Sequence, residues 1–178
     1  MTLGSDPSGE IRAFFLSAAA QRGVLSLGGA IYRCSFGRAG IAVRKREGDG
    51  ATPMGRFALG RVFFRPDRGA RPQTALTTVP LSPALGWCED PSSPEYNRLV
   101  RLPSSSRHER MWRDDPLYDI CVEIAYNDAP VLKGRGSAIF LHLARPGYAP
   151  TEGCIAVNGR DMRRLLSQVS PGAMLRIG

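Results

Sequence analysis

The sequence holds only two histidines, and its four cysteines (Cys34, Cys88, Cys121 and Cys154) include no C-x-x-C pair. Structural zinc needs four clustered Cys or His ligands, so a zinc site has little to be built from. No metal and no other cofactor are expected. No apolar run approaches the roughly 18–20 residues that cross a bilayer, so no integral membrane segment is expected. Internal repeats and low-complexity tracts are lacking too. Acidic residues are outnumbered: 24 Lys and Arg against 16 Asp and Glu give a formal net charge of +8.

That excess implies an anionic partner. Nucleic acid is the commonest, but the arginines are scattered singly as Arg38, Arg44, Arg56, Arg61, Arg65, Arg68 and Arg71. No zinc-ligand spacing, homeodomain-like helix or RNP-type aromatic pattern accompanies them, so a nucleic-acid partner is not expected. At 178 residues with 43% hydrophobic content, the chain suits one domain with its own core.

Along the chain, strand-like runs alternate with turn residues. Val24–Leu27, the Gly28-Gly29 pair and Ala30–Phe36 predict a hairpin with positive φ at the turn. Lys45–Gly50 (KREGDG) reads as a solvated charged loop ending in a tight turn. Tyr118–Tyr126 alternates like a half-buried strand. Asn158 is placed to cap a helix with Met162, Leu165, Leu166 and Val169 on one face, and Asp161 suits its N-terminal dipole. Between Arg65 and Asp115, seven prolines break any long element, and the stretch is expected to be a cap beside a cleft. Arg12–Ala20 resembles a poor secretory signal, with a short amphipathic helix as the equal alternative.

The chemistry concentrates in Ile139–Asp161. A strand-like run delivers His142, and twelve residues later Cys154 follows Gly153. A thiol is a strong nucleophile only as thiolate, and an imidazole is the usual means of favouring that form. Gly153 removes a side chain beside the sulfur, leaving room for a substrate and for N–H groups aimed at an oxyanion. A buried core cysteine with an unrelated histidine is the competing reading. His108, in the charged run Arg107–Asp115, is the only rival general base. Cys34 and Cys121 read as core thiols and Cys88 as a loop residue.

Thr151-Glu152-Gly153-Cys154-Ile155, with His142 upstream and Asp161 downstream, resembles the signature of the L,D-transpeptidase (YkuD) family. Thr52-Pro53-Met54-Gly55-Arg56-Phe57 resembles that family's Thr-Pro-x-Gly-x-Phe stretch. The resemblance implies a mainly β fold, a β-sandwich or mixed sheets with one or two short helices, carrying here a long Pro/Arg-rich cap loop. It divides the chain into an N-terminal segment (1–22) and one catalytic domain (23–178), with 65–115 inserted as the cap. It further implies peptidoglycan stem peptides as substrates, a periplasmic location and a monomer. Cys154 would be the nucleophile and His142 the acid/base, with the Leu143 carbonyl orienting its ring and the Gly153 and Cys154 N–H groups meeting the oxyanion. Thr151, Glu152, Arg145, Tyr148, Arg107, His108 and Trp112 are the candidate substrate contacts.

The sequence departs from the family at two cationic positions. Glu152 stands where His or Arg is usual, and Ala156 where Arg follows Cys-Ile or Cys-Val. A remodelled cleft follows, with a cross-link from the first stem residue (L-Ala) to diaminopimelate, a 1-3 link, ahead of the usual 3-3 link. An L,D-carboxypeptidase and a non-catalytic murein-binding module are the alternatives.

Overall fold

The computed structural model describes residues 9–178; residues 1–8, and with them the Asp6 end of the N-terminal segment, lie outside the described part. Fourteen short strands and one α-helix follow in order. They are β1 (Ile11–Phe14), β2 (Arg22–Leu27), β3 (Ala30–Ser35), β4 (Ile41–Ala42), β5 (Thr52–Pro53), β6 (Gly55–Phe64), β7 (Thr78–Pro80), β8 (Leu85–Cys88), β9 (Leu99–Arg101), β10 (His108–Arg110), β11 (Ile120–Ile124), β12 (Phe140–Leu143), β13 (Ile155–Val157), α1 (Gly159–Leu166) and β14 (Met174–Ile177). The mainly β reading holds.

The main sheet runs β11-β12-β13-β3-β2-β1-β14-β6-β7. Its ten-residue strand β6 pairs with β14 through its first half and with β11 through its second, so the sheet closes on itself. The sheet is mixed: β12 and β13 are parallel, as are β1 and β14, while the β2–β3 hairpin is antiparallel. Gly28 and Gly29 turn that hairpin with φ of 55° and 83°, the conformation a two-residue turn needs. Asn158 caps α1 by accepting from the Asp161 N–H at 2.9 Å. Met162, Leu165 and Leu166 are buried on the face that packs into the sheet's core.

Three expectations are corrected. Arg12–Ala20 does not form a helix: its first residues belong to β1, which lies between β2 and β14, because Ile11 and Ala13 alternate inward against the core. The 65–115 cap is not one loop. Its prolines delimit the three-stranded sheet β10-β8-β9, whose strands are short enough to fit between them. Cys88 closes β8 and is fully buried; all four cysteines are free thiols.

Two apolar clusters lie on opposite faces of the β11-β12-β13 strands. Ile120, Val122, Ile124, Ile139, Leu141, Ile155 and Val157 face the central core. Cys121, Ala138, Phe140 and Cys154 face the other way, against Leu81, Trp87, Met111 and Tyr118 of the 65–118 region. The period-2 alternation of strands produces this division. Strand β11 is thus buried on both faces, since the cap covers the side that alternation alone assigns to water.

Candidate active site

Strand alternation brings the pair together. Parallel register sets Leu141 against Ile155 and His142 against Ala156, so Phe140, His142, Cys154 and Ala156 share the face turned away from the core. Cys154 and His142 both line a cavity of about 370 Å3 under the three-stranded sheet.

The backbone around Cys154 is fixed by two hydroxyls. Thr52 Oγ1 donates to the Cys154 carbonyl at 3.3 Å and Thr151 Oγ1 donates to it at 2.6 Å. Thr52, the first residue of the Thr52–Phe57 block, therefore pins the main chain at Cys154. The thiol donates to the Ala138 carbonyl at 3.3 Å and accepts from the Phe140 N–H at 3.4 Å. His142 Nδ1 lies 2.9 Å from the Leu143 carbonyl; an N–H there donates to that oxygen and leaves Nε2 as the basic nitrogen.

Burial dominates the electrostatics. It pushes the Cys154 thiol up to about 12, with Glu109 next in effect, while the Phe140 N–H and Lys45 pull it down. Burial likewise pushes His142 down to about 4, opposed by its bond to Leu143. The resting pair is a neutral thiol and a neutral imidazole, since a charge without solvent costs more than it gains here.

Of the expected substrate contacts, Arg107, Arg145, Thr151 and Glu152 line the cavity, and His108, Trp112 and Tyr148 do not. In β10, Glu109 faces Cys154's cavity, so its neighbours His108 and Arg110 face the opposite side, where they line a separate cavity with Trp112. The Trp112 ring carries the Arg65 guanidinium at 3.6 Å from its centroid. Tyr148 accepts from Asn158 Nδ2 at 2.9 Å and borders an apolar groove beside β2. His108 is no rival base.

Three further roles change. Thr151 spends its hydroxyl on the main chain, donating to Cys154 and accepting from the Gly153 N–H at 3.1 Å. That bond occupies the N–H assigned to the oxyanion. Glu152 points outward, with its side chain 78% exposed and paired to Arg38 at 2.7 Å, so no anion from this position sits on the sulfur.

The cleft also holds Lys45, Glu47, Glu89, Glu109, Arg113 and Tyr118, none of them among the individual contacts named from the sequence. Tyr118 is buried with its ring edge against His142. Glu89 is pushed up to about 7 by burial and by the neighbouring carboxylates of Glu109 and Glu47. Lys45, expected in a solvated loop, is buried. Alternation around His108 contained a signal for Glu109; nothing local marks Lys45.

The family description "L,D-transpeptidase catalytic domain" (YkuD) matches residues 15–177. No curated protein matches the chain. Among solved structures, L,D-transpeptidase 1 of Mycobacterium tuberculosis is similar at 12% identity with a TM-score of 0.40, over 94% of this chain. The chain spans 61% of that protein's length.

Proposed function

Because the chain belongs to the L,D-transpeptidase (YkuD) family, we propose that it cross-links peptidoglycan stem peptides in the periplasm through a thioester on Cys154. The carrying observation is the register of β12 and β13, which turns Cys154 and His142 to one cavity.

With both groups neutral at rest, His142 Nε2 takes the thiol proton as Sγ bonds to the donor carbonyl carbon. Collapse of the tetrahedral intermediate breaks the donor C–N bond, and the departing amine takes the proton from His142. An acceptor diaminopimelate amine then attacks the thioester. The C–S bond breaks, and the amine's proton returns through His142 to Sγ. Water in place of the amine gives the carboxypeptidase outcome.

Charges of both signs in the cleft suit a substrate with carboxylates and an ammonium. The Arg145 guanidinium, which lines the cavity and bears on Asp115 only through its charge, is suited to a donor carboxylate. Glu47, Glu89 and Glu109 are suited to the acceptor amine. Ala156, small where the family carries arginine, leaves space beside His142 and favours a donor held differently from the usual one. The 1-3 link is therefore placed ahead of the 3-3 link.

A second reading, the murein-binding module, is favoured by the raised thiol. Incubation of purified muropeptides with the protein, Cys154→Ala and His142→Ala, followed by mass spectrometry, separates the two. Dimers made only by the unaltered chain support transpeptidation, and fragmentation assigns the bond to residue one or three. Amino-acid release without dimers identifies a carboxypeptidase. Binding without turnover selects the module.

A further inference from the structure

We propose that Lys45 is a further catalytic residue of this cleft, its ammonium holding the oxygen that becomes anionic when Cys154 attacks the donor carbonyl. The inference rests on the acyl-transfer reading of Cys154 but not on the identity of the donor.

Lysine is almost never fully buried without a task or a partner, and the Lys45 side chain is only 3% exposed. Two glycines make room for it. A Cβ on Gly136 (φ 105°) would stand 2.9 Å from Lys45 Cε, and a Cβ on Gly153 (φ 131°) would stand 3.2 Å from Nζ. The chain is thus emptied of side chains beside the nucleophile, where the ammonium sits.

The ammonium is also held still. Nζ donates to Asp49 Oδ1 at 2.7 Å and to the Arg46 carbonyl at 3.5 Å. Asp49 is anchored in turn by the Arg46 and Ala51 N–H groups at 2.6 and 2.9 Å. An ammonium has three donors, so one remains without an acceptor among the described residues in a group that lines the Cys154 cavity. A fixed, desolvated donor that need not reorganise is what stabilises a developing oxyanion.

Room for a further donor arises at Gly153, whose N–H, one of the two expected at the oxyanion, is spent on Thr151. It arises again at the family's two cationic positions, here the outward-facing Glu152 and the neutral Ala156. Lys45, more than a hundred residues upstream, returns a positive charge to the nucleophile's side of the cleft.

The test uses p-nitrophenyl acetate, an acyl donor with no carboxylate and no stem peptide, and follows acetylation of Cys154 by mass spectrometry. Wild type, Lys45→Met and Lys45→Met/Asp49→Asn are compared, with Cys154→Ala as background. The double variant removes the ion pair as a unit, so Asp49 is not left unpaired, and circular dichroism checks that each chain is folded. Both Lys45 variants are expected to acetylate about 100-fold more slowly, the scale of losing one oxyanion donor. Lys45→Arg should recover part of the rate. Unchanged acetylation in a folded double variant overturns the assignment, even if stem-peptide binding weakens, because Lys45 would then be a carboxylate anchor or a structural cation. If wild type acetylates but no muropeptide reacts, the stem-peptide reading fails while Lys45 is still decided. If wild type does not acetylate above background, Cys154 is no nucleophile and both fall.

Discussion

The Tyr118 hydroxyl donates to Glu109 Oε1 at 2.7 Å, linking a strand of the cap sheet to the residue whose ring edge meets His142. Arg113 donates to the same carboxylate oxygen at 3.2 Å and to Asp115 at 2.7 Å. The three-stranded sheet therefore contributes to the electrostatics around Cys154 as well as a wall of the cleft. Glu109→Gln keeps an acceptor for Tyr118 and removes the charge that opposes thiolate formation. Iodoacetamide should modify Cys154 about three- to tenfold faster in this variant, a fall in thiol pKa of up to about one. A slower reaction would mean that the carboxylate does not act on the sulfur.

The resting ionisation state is open to direct measurement. With the thiol near 12 and the imidazole near 4, both groups are neutral between those values. Alkylation of Cys154 should rise with pH up to pH 10 without a plateau. A plateau extending below pH 7 is the signature of a thiolate–imidazolium pair and would contradict the neutral resting state.

Gly153 answers to packing. An added Cβ would meet the Ala51 carbonyl at 2.8 Å and Lys45 Nζ at 3.2 Å, on a backbone with φ of 131°. Gly153→Ala should destabilise the fold by about 2 kcal/mol or more, read as a fall in Tm of roughly 5 °C. A variant as stable as wild type would show that the loop has space to relax.

Glu152 should matter little to reactivity. Its ion pair with Arg38 is exposed, and such pairs contribute about 0–1 kcal/mol. Glu152→Gln is expected to leave both Tm and the alkylation rate of Cys154 within error. A clear gain in thiol reactivity would place the carboxylate over the sulfur instead.

Glu89 links the acidic side of the cleft to stability. Its carboxyl is raised to about 7 in the fold from 4.5. The folded state therefore binds the extra proton, and stability falls as pH rises from about 4.5 to 7. Glu89→Gln should stabilise the protein at pH 8 by about 1 kcal/mol more than at pH 5, a figure reduced because the carboxylate is part-exposed. Thermal melts at the two pH values test this; equal gains would mean that Glu89 is not titrating in the fold.

Strand alternation and helix periodicity were legible because they repeat within a few residues. The β2–β3 turn, the Asn158 cap and the apolar face of α1 follow from neighbours in the chain. His142 and Cys154 were singled out differently, by the family resemblance of Thr151–Ile155 and Thr52–Phe57, since residue chemistry alone left a buried core cysteine as the competing reading. The run Arg107–Asp115 shows the limit. Its composition marks a site, but alternation along β10 turns Glu109 inward and His108 outward, and only the pairing with β8 fixes which face is which.

By itself, then, the sequence determined a mainly β chain, because short-range period carries that information, and its two motif blocks gave the family resemblance that singles out Cys154 and His142. The tertiary structure decided which charges surround the sulfur. It buried Lys45 between two glycines, turned Glu152 to solvent, gave the Gly153 N–H to Thr151 and set Glu109 beneath Tyr118. These contacts join residues from distant loops, and no local pattern records them. Burial then set the proton on Cys154 and removed it from His142, since desolvation is a property of the packed surroundings and not of the residue.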